Sequence, residues 1–163
     1  MPKMKLDAID RKILTALQED GRLTNVELAD RVGLSPSPTL RRVKLLEEAG
    51  VIRGYRVVLN RALVNLGLTL FVHISAEGRE DIEDSAFVRT VTRLKEVVSC
   101  HLVSGEADFL LEVVVPDLAA YDEFLVKTLL KIPGIKTIRS NFVIRTIKPE
   151  SPLMMDHLQD HSD

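Results

Sequence analysis

Residues 33–36 restrict the fold of this chain more than any other stretch. Two helix-forming segments meet there across Gly33-Leu34-Ser35-Pro36, a link too short for anything but a tight turn. Before it, Thr24-Asn25-Val26-Glu27 is a possible capping box for a short helix carrying Val26, Leu28, Ala29 and Val32 and ended by Gly33. After it, Ser35 can cap the free N–H groups of a second helix, Pro36 fits the first helical position, Pro38 still lies in the first turn, and Gly50 ends the run. Further upstream, Leu6, Ile9, Ile13, Leu14 and Leu17 recur at helical spacing between Asp7 as a cap and Gly21 as a stop. Three helices joined in this way make a helix-turn-helix, in which the first two bury the apolar stripe of the third.

On a helical wheel, Leu40, Val43 and Leu46 share the side of the third helix that packs, and Ser37, Arg41, Lys44 and Glu48 share the other, flanked by Arg42. A charged helix face is ordinarily just solvated. On the third helix of a helix-turn-helix the same residues are better read as a DNA contact. The hydroxyl residues Ser35, Ser37 and Thr39 lie at the end that approaches base edges, whereas Arg41, Arg42 and Lys44 follow as partners for phosphate. Residues 51–59 are rich in Val, Ile and Tyr and broken by Arg53-Gly54, which predicts a small hairpin or wing that adds Arg53 and Arg56 as phosphate contacts. A net charge of -2 by itself argues against a DNA partner, but the first sixty residues hold 11 Lys and Arg against 8 Asp and Glu, and the surplus of acid lies behind them.

The chain therefore divides into a DNA-binding domain over 1–60, a linker at 61–65, a second domain over 66–148 and a polar tail over 149–163, expected to be partly frayed. The second domain reads as a strand at 68–75, a helix at 81–94 with Ile82, Val88, Val91 and Leu94 inward, and strands at 97–103 and 109–115. A helix capped by Asp117 follows, burying Leu118, Tyr121, Leu125 and Leu129, then the Pro133-Gly134 stop and a long strand at 135–147. The order βαββαβ gives an α+β protein: a winged helix-turn-helix followed by a ferredoxin-like four-stranded antiparallel sheet with both helices on one face. The other apolar face of such a sheet needs a cover, and a second subunit is the economical one.

Little points to chemistry. Cys100 has no partner for an internal bridge, the start of the chain has no apolar signal core, and no run approaches a membrane span, so the expected location is the cytoplasm, with no membrane partner. Cys100 and His101 are adjacent on a strand, point to opposite faces and cannot form a dyad. His73 reads as a hydrogen-bonded structural residue, and the i, i+4 pair His157 and His161 sits in a tail without further ligands, so neither a metal nor a cofactor is expected. Nothing resembles a nucleophile, a metal cluster or a phosphate loop, which disfavours an enzyme. From spacing alone, Gly105-Glu106-Ala107-Asp108 is turn chemistry between two strands.

Across both halves, the residues Leu6-Asp7, Asp10, Ile13-Leu14, Gly21-Arg22, Glu27-Leu28-Ala29, Gly33-Leu34-Ser35, Arg42-Val43, Leu46-Glu47, Gly50, Ile52, His101-Leu102-Val103-Ser104-Gly105, Asp108-Phe109-Leu110-Leu111, Leu130 and Pro133-Gly134 stand in register with one pattern. The chain resembles the Lrp/AsnC family of feast/famine transcription regulators up to about Lys148. That resemblance implies a regulator of double-stranded DNA that senses an amino-acid effector, forms a homodimer through its second domain and assembles dimers into octamer-like discs. It also implies an effector site at Leu102, Ser104, Gly105, Glu106, Ala107, Asp108 and Gly134. Backbone N–H groups near Gly105 or Gly134 would take the carboxylate, and Asp108 the ammonium. Ala107 stands where the family commonly has an aromatic residue, which enlarges or reshapes the pocket, and Leu45 stands where a basic residue is expected on the DNA-reading helix. The alternative is an architectural DNA binder that needs no effector.

Overall fold

The computed structural model describes residues 5–76 and 86–158, which fall into two compact units: the residues up to Val57 together with those from Lys148 onward, and Val58–Ile147. Helices α1 (Ala8–Glu19), α2 (Asn25–Val32) and α3 (Pro36–Glu48) build the first unit. Capping boxes at Asp7 with Asp10 and at Thr24 with Glu27 satisfy the first N–H groups of α1 and α2. Gly33, at φ 75°, makes the left-handed exit of α2 that an L side chain would strain. Ile13 and Leu46 are fully buried, with Leu28 and Val32 packed around them, so the apolar stripe of α3 closes on α1 and α2.

Several expectations for this unit need correction. Ser35 occupies the N-cap of α3 but makes no capping bond with its side chain; its carbonyl instead accepts both the Thr39 N–H and the Thr39 Oγ1 hydroxyl. Helix α1 ends at Glu19 with Asp20 as its C-cap, immediately before Gly21, the expected stop. Residues 51–59 form no strand: the Val51 and Ile52 N–H groups both turn back to the Leu46 carbonyl, and Val57, Val58 and Leu59 are exposed without a ladder partner. Tyr55 ties this segment to α3 through a 3.1 Å bond to Glu47. The tail is not loose throughout, since Met155 packs against the helical core.

The second unit opens with a 3-10 turn at Arg61–Val64, capped by the Asn60 side chain and closed by Asn65 in the left-handed region, where a plain connector is expected. Strands β1 (Leu68–Ala76), β2 (Val97–Leu102), β3 (Phe109–Val115) and β4 (Ile135–Phe142) form one antiparallel sheet in the order β2-β3-β1-β4. Helices α4 (Ala86–Val91) and α5 (Leu118–Lys127) supply Phe87, Val91, Tyr121 and Phe124 to a core with Leu70, Val72, Ile74, Leu111 and Val113, all from one sheet face. This is the ferredoxin-like arrangement. The expected helix over 81–94 is helical only from Ala86 to Val91; its first part, with Ile82, lies outside the described residues. Leu118 is exposed and Phe124 takes the inward position, while β4 stops at Phe142 and leaves Ile144 and Ile147 exposed. Past Phe142 the Val143 N–H still reaches the Thr69 carbonyl of β1.

Candidate DNA-reading face and effector cavity

Helix α3 presents Ser37, Arg41, Lys44 and Glu48 to solvent along one face, and Leu40 and Leu45 flank it, 45% and 44% exposed. Leu40 therefore belongs beside the cations and not in the core. Two other expectations change. Thr39 is completely buried, its hydroxyl committed 2.9 Å from the Ser35 carbonyl, so it cannot reach a base. Arg42 turns toward α1, where Nη1 bonds Asp7 Oδ2 at 2.8 Å and Asp10 Oδ1 at 2.7 Å. Asp10 is nearly buried, so the guanidinium neutralises a carboxylate that would otherwise be desolvated without a counter-charge. Burial pushes the Asp7 carboxyl up, but its bond from the Asp10 N–H and the Arg42 guanidinium outweigh this and hold it below its ordinary value of 3.8. Arg42 thus locks the helices together. What α3 leaves for phosphate is Arg41 and Lys44, with Arg53 and Arg56 exposed on the segment that follows.

On the face of the sheet away from the helices, strand register sets His101, Leu110, His73 and Arg139 side by side across β2, β3, β1 and β4. At one end of this row lies an open cavity of about 520 Å³. Ser104, Glu106 and Ala107 line it, as the sequence predicts, and His73, Ser75, Val103, Leu110, Thr137, Ile138 and Arg139 complete it. Leu102, Gly105, Asp108 and Gly134 do not line it. His73 and Arg139 were hidden in the sequence because only the β1–β4 pairing brings them to the turn; the signal available was their alternation with core residues.

Asp108 has a different place from the one expected. Its Oδ2 accepts the Ala76 N–H at 2.9 Å and its N–H reaches the Ile74 carbonyl, so two bonds tie the β2–β3 turn to the end of β1, while its carbonyl accepts the Val103 N–H and closes the turn itself. Gly105, at φ 127°, gives that turn a conformation L residues avoid. Glu106 is then carried across the cavity mouth, where its carboxylate meets Arg139 Nη1 at 3.2 Å, both side chains largely exposed. An exposed pair of this kind contributes at most about 1 kcal/mol, so a ligand bearing both charges can separate it at little cost. Val103, Ala107 and Leu110 supply an apolar wall beside it. The arrangement suits a small zwitterion with an apolar side chain. Cys100, paired with Leu111 on the core side, and His101, paired with Leu110 on the open side, point apart as their adjacency requires.

Comparison with known proteins follows the same two-part division. Residues 6–53 match a winged helix-turn-helix DNA-binding family, and residues 69–153 match the Lrp/AsnC ligand binding domain. The chain is 44% identical over 155 residues to the leucine-responsive regulatory protein of Escherichia coli, covering 94% of each. Among solved structures it is similar to a transcriptional regulator from Neisseria meningitidis in complex with L-Met, at 45% identity and a TM-score of 0.89, with 94% of this chain and 99% of that one covered. An AsnC family transcriptional regulator from Agrobacterium tumefaciens superposes with a TM-score of 0.84 at 41% identity, with the same coverage.

Proposed function

The chain belongs to the Lrp/AsnC family of transcriptional regulators, and from that premise we propose that it acts in the cytoplasm as a homodimer, assembling further toward an octamer, and changes its DNA binding when it takes up an apolar amino acid. It is a DNA-binding regulator with a ligand-binding domain and not an enzyme. The observation that carries the effector reading is the cavity on the open sheet face, where opposite charges from Glu106 and Arg139 stand beside an apolar wall. In this reading the forked Arg139 guanidinium takes the carboxylate and Glu106 the ammonium. Asp108 and Gly105 shape the turn that presents Glu106, with Ser104 and Ala107 in the lining, while Leu102 and Gly134 serve at the adjoining strand and turn. The relatives named for leucine and solved with L-Met favour these two amino acids as the first to test.

The dimer reading rests on what a single chain leaves open: Phe71, Leu102 and residues 57–59 are exposed apolar positions. In this reading α3 enters the major groove with Ser37 toward the bases, Leu40 available to a thymine methyl group, and Arg41, Lys44, Arg53 and Arg56 on phosphate. A two-fold protein presents two such helices to half-sites about 34 Å apart. A thermal-shift screen with the twenty amino acids tests the effector: a ligand that binds only the folded state raises the melting temperature, by about 2.7 kcal/mol of stabilisation at a hundredfold excess over Kd. L-methionine or L-leucine raising it in the parent and not in Arg139→Gln is the expected result. No shift with any amino acid would leave the architectural, effector-independent reading in its place.

A further inference from the structure

The chain leaves the DNA-binding unit once, after Val57, yet it returns to that unit from Lys148 onward. The return is anchored at specific atoms. Gln18 on α1 holds both backbone polar groups of one residue: Oε1 accepts the Leu153 N–H at 2.7 Å and Nε2 donates to the Leu153 carbonyl at 3.2 Å. About two helical turns earlier, Arg11 donates to the Leu158 carbonyl, and between these anchors Met155 packs onto the core built around Ile13 and Leu46. The Leu158 N–H closes a turn onto the Met155 carbonyl. Leu153 itself is 74% exposed, so its backbone and not its side chain is being held. Both anchoring side chains belong to α1, and the exposed cations Arg41 and Lys44 lie on α3.

We infer that residues 153–158 are a strap that gives each DNA-reading head a second tether to its own sheet, and so fixes the spacing at which a dimer reads paired half-sites. This rests on the dimeric reading proposed above. A head held by the linker alone explores more space, which lowers its effective concentration at the second half-site and makes more spacings acceptable; a second anchored connection reverses both. The strap leaves the reading face uncovered, so intrinsic affinity for a single half-site does not depend on it.

The test compares full-length parent, Gln18→Ala, Leu153→Pro and a chain ending at Lys148. Leu153→Pro removes the N–H held by Gln18 and little packing, so it keeps the question open to measurement even where truncation fails to fold. Duplexes selected from random-sequence DNA by the parent are rebuilt with one half-site, with two at the selected spacing, and with two displaced by half a helical turn. The strap predicts unchanged single-site binding in all folded variants, together with paired-site affinity reduced by roughly tenfold and a flattened preference for spacing. Variants that keep the parent's spacing preference would overturn the strap. A parent with no preference for paired sites would instead overturn the dimeric reading on which it rests.

Discussion

Arg41 and Arg42 are neighbours in sequence and serve different ends. Arg41 stands exposed on the face of α3, whereas Arg42 is spent on Asp7 and Asp10 of α1. Arg41→Ala should therefore reduce the slope of log affinity against log salt by about 0.9, the value for one neutralised phosphate, and leave unfolding within about 0.5 kcal/mol of the parent. Arg42→Met should do the reverse: it costs about 1–3 kcal/mol of stability, because Asp10 loses its counter-charge, and leaves the slope alone once the variant is folded. Denaturant titration and DNA binding at four salt concentrations measure both. A pH dependence follows from the same cluster. The Asp7 carboxyl titrates below its ordinary value of 3.8 in the folded chain, so the unfolded chain takes up its proton first as pH falls. The stabilisation is complete above that ordinary value and is lost as pH drops through the lower, folded one. Asp7→Asn should accordingly flatten the acid limb of a stability profile below about pH 4.

Among the elements, α3 shows what a sequence can and cannot disclose. Its start, its end and its partnership with α2 were legible, because Gly33, Pro36 and Gly50 each answer a backbone requirement that few other residues meet. The roles of its polar residues were less so. Thr39 carries a hydroxyl at the end where base contacts are expected, but it lies on the buried side and satisfies that hydroxyl within its own helix. Arg42 could have been recognised from α1: Asp10 falls inside the apolar stripe with Ile13 and Leu14, and a carboxylate there needs a cation from a neighbour. The proposed effector cavity was half legible for a related reason. Its turn is contiguous in sequence, while His73, Thr137 and Arg139 reach it only through strand pairing. Two substitutions test the element-level account. Gly33→Ala, with open space around the added methyl but φ at 75°, should cost about 1 kcal/mol from backbone strain alone, and Gly33→Asn less. Thr39→Val should cost about 1 kcal/mol, where Ser35→Ala costs almost nothing because the Ser35 hydroxyl caps no N–H.

At the scale of the whole molecule, the two units divide the labour of a regulator. One carries a cationic helix face and the other a cavity with paired charges, and among the described residues no helix is long and apolar enough to cross a membrane. An amino acid changes DNA binding only by the difference in its affinity for the DNA-bound and free arrangements, a coupling that typically amounts to about 1–3 kcal/mol. Graded control is thus expected, not an all-or-none switch. The most direct measurement is a fluorescence-anisotropy titration of a duplex the protein itself has selected, at fixed salt, with L-methionine or L-leucine raised from zero to saturation. Affinity should move by roughly five- to 150-fold in the parent and stay fixed in Arg139→Gln. An affinity that does not move in the parent, with either amino acid at any concentration, would contradict the account of this chain as an amino-acid-responsive regulator.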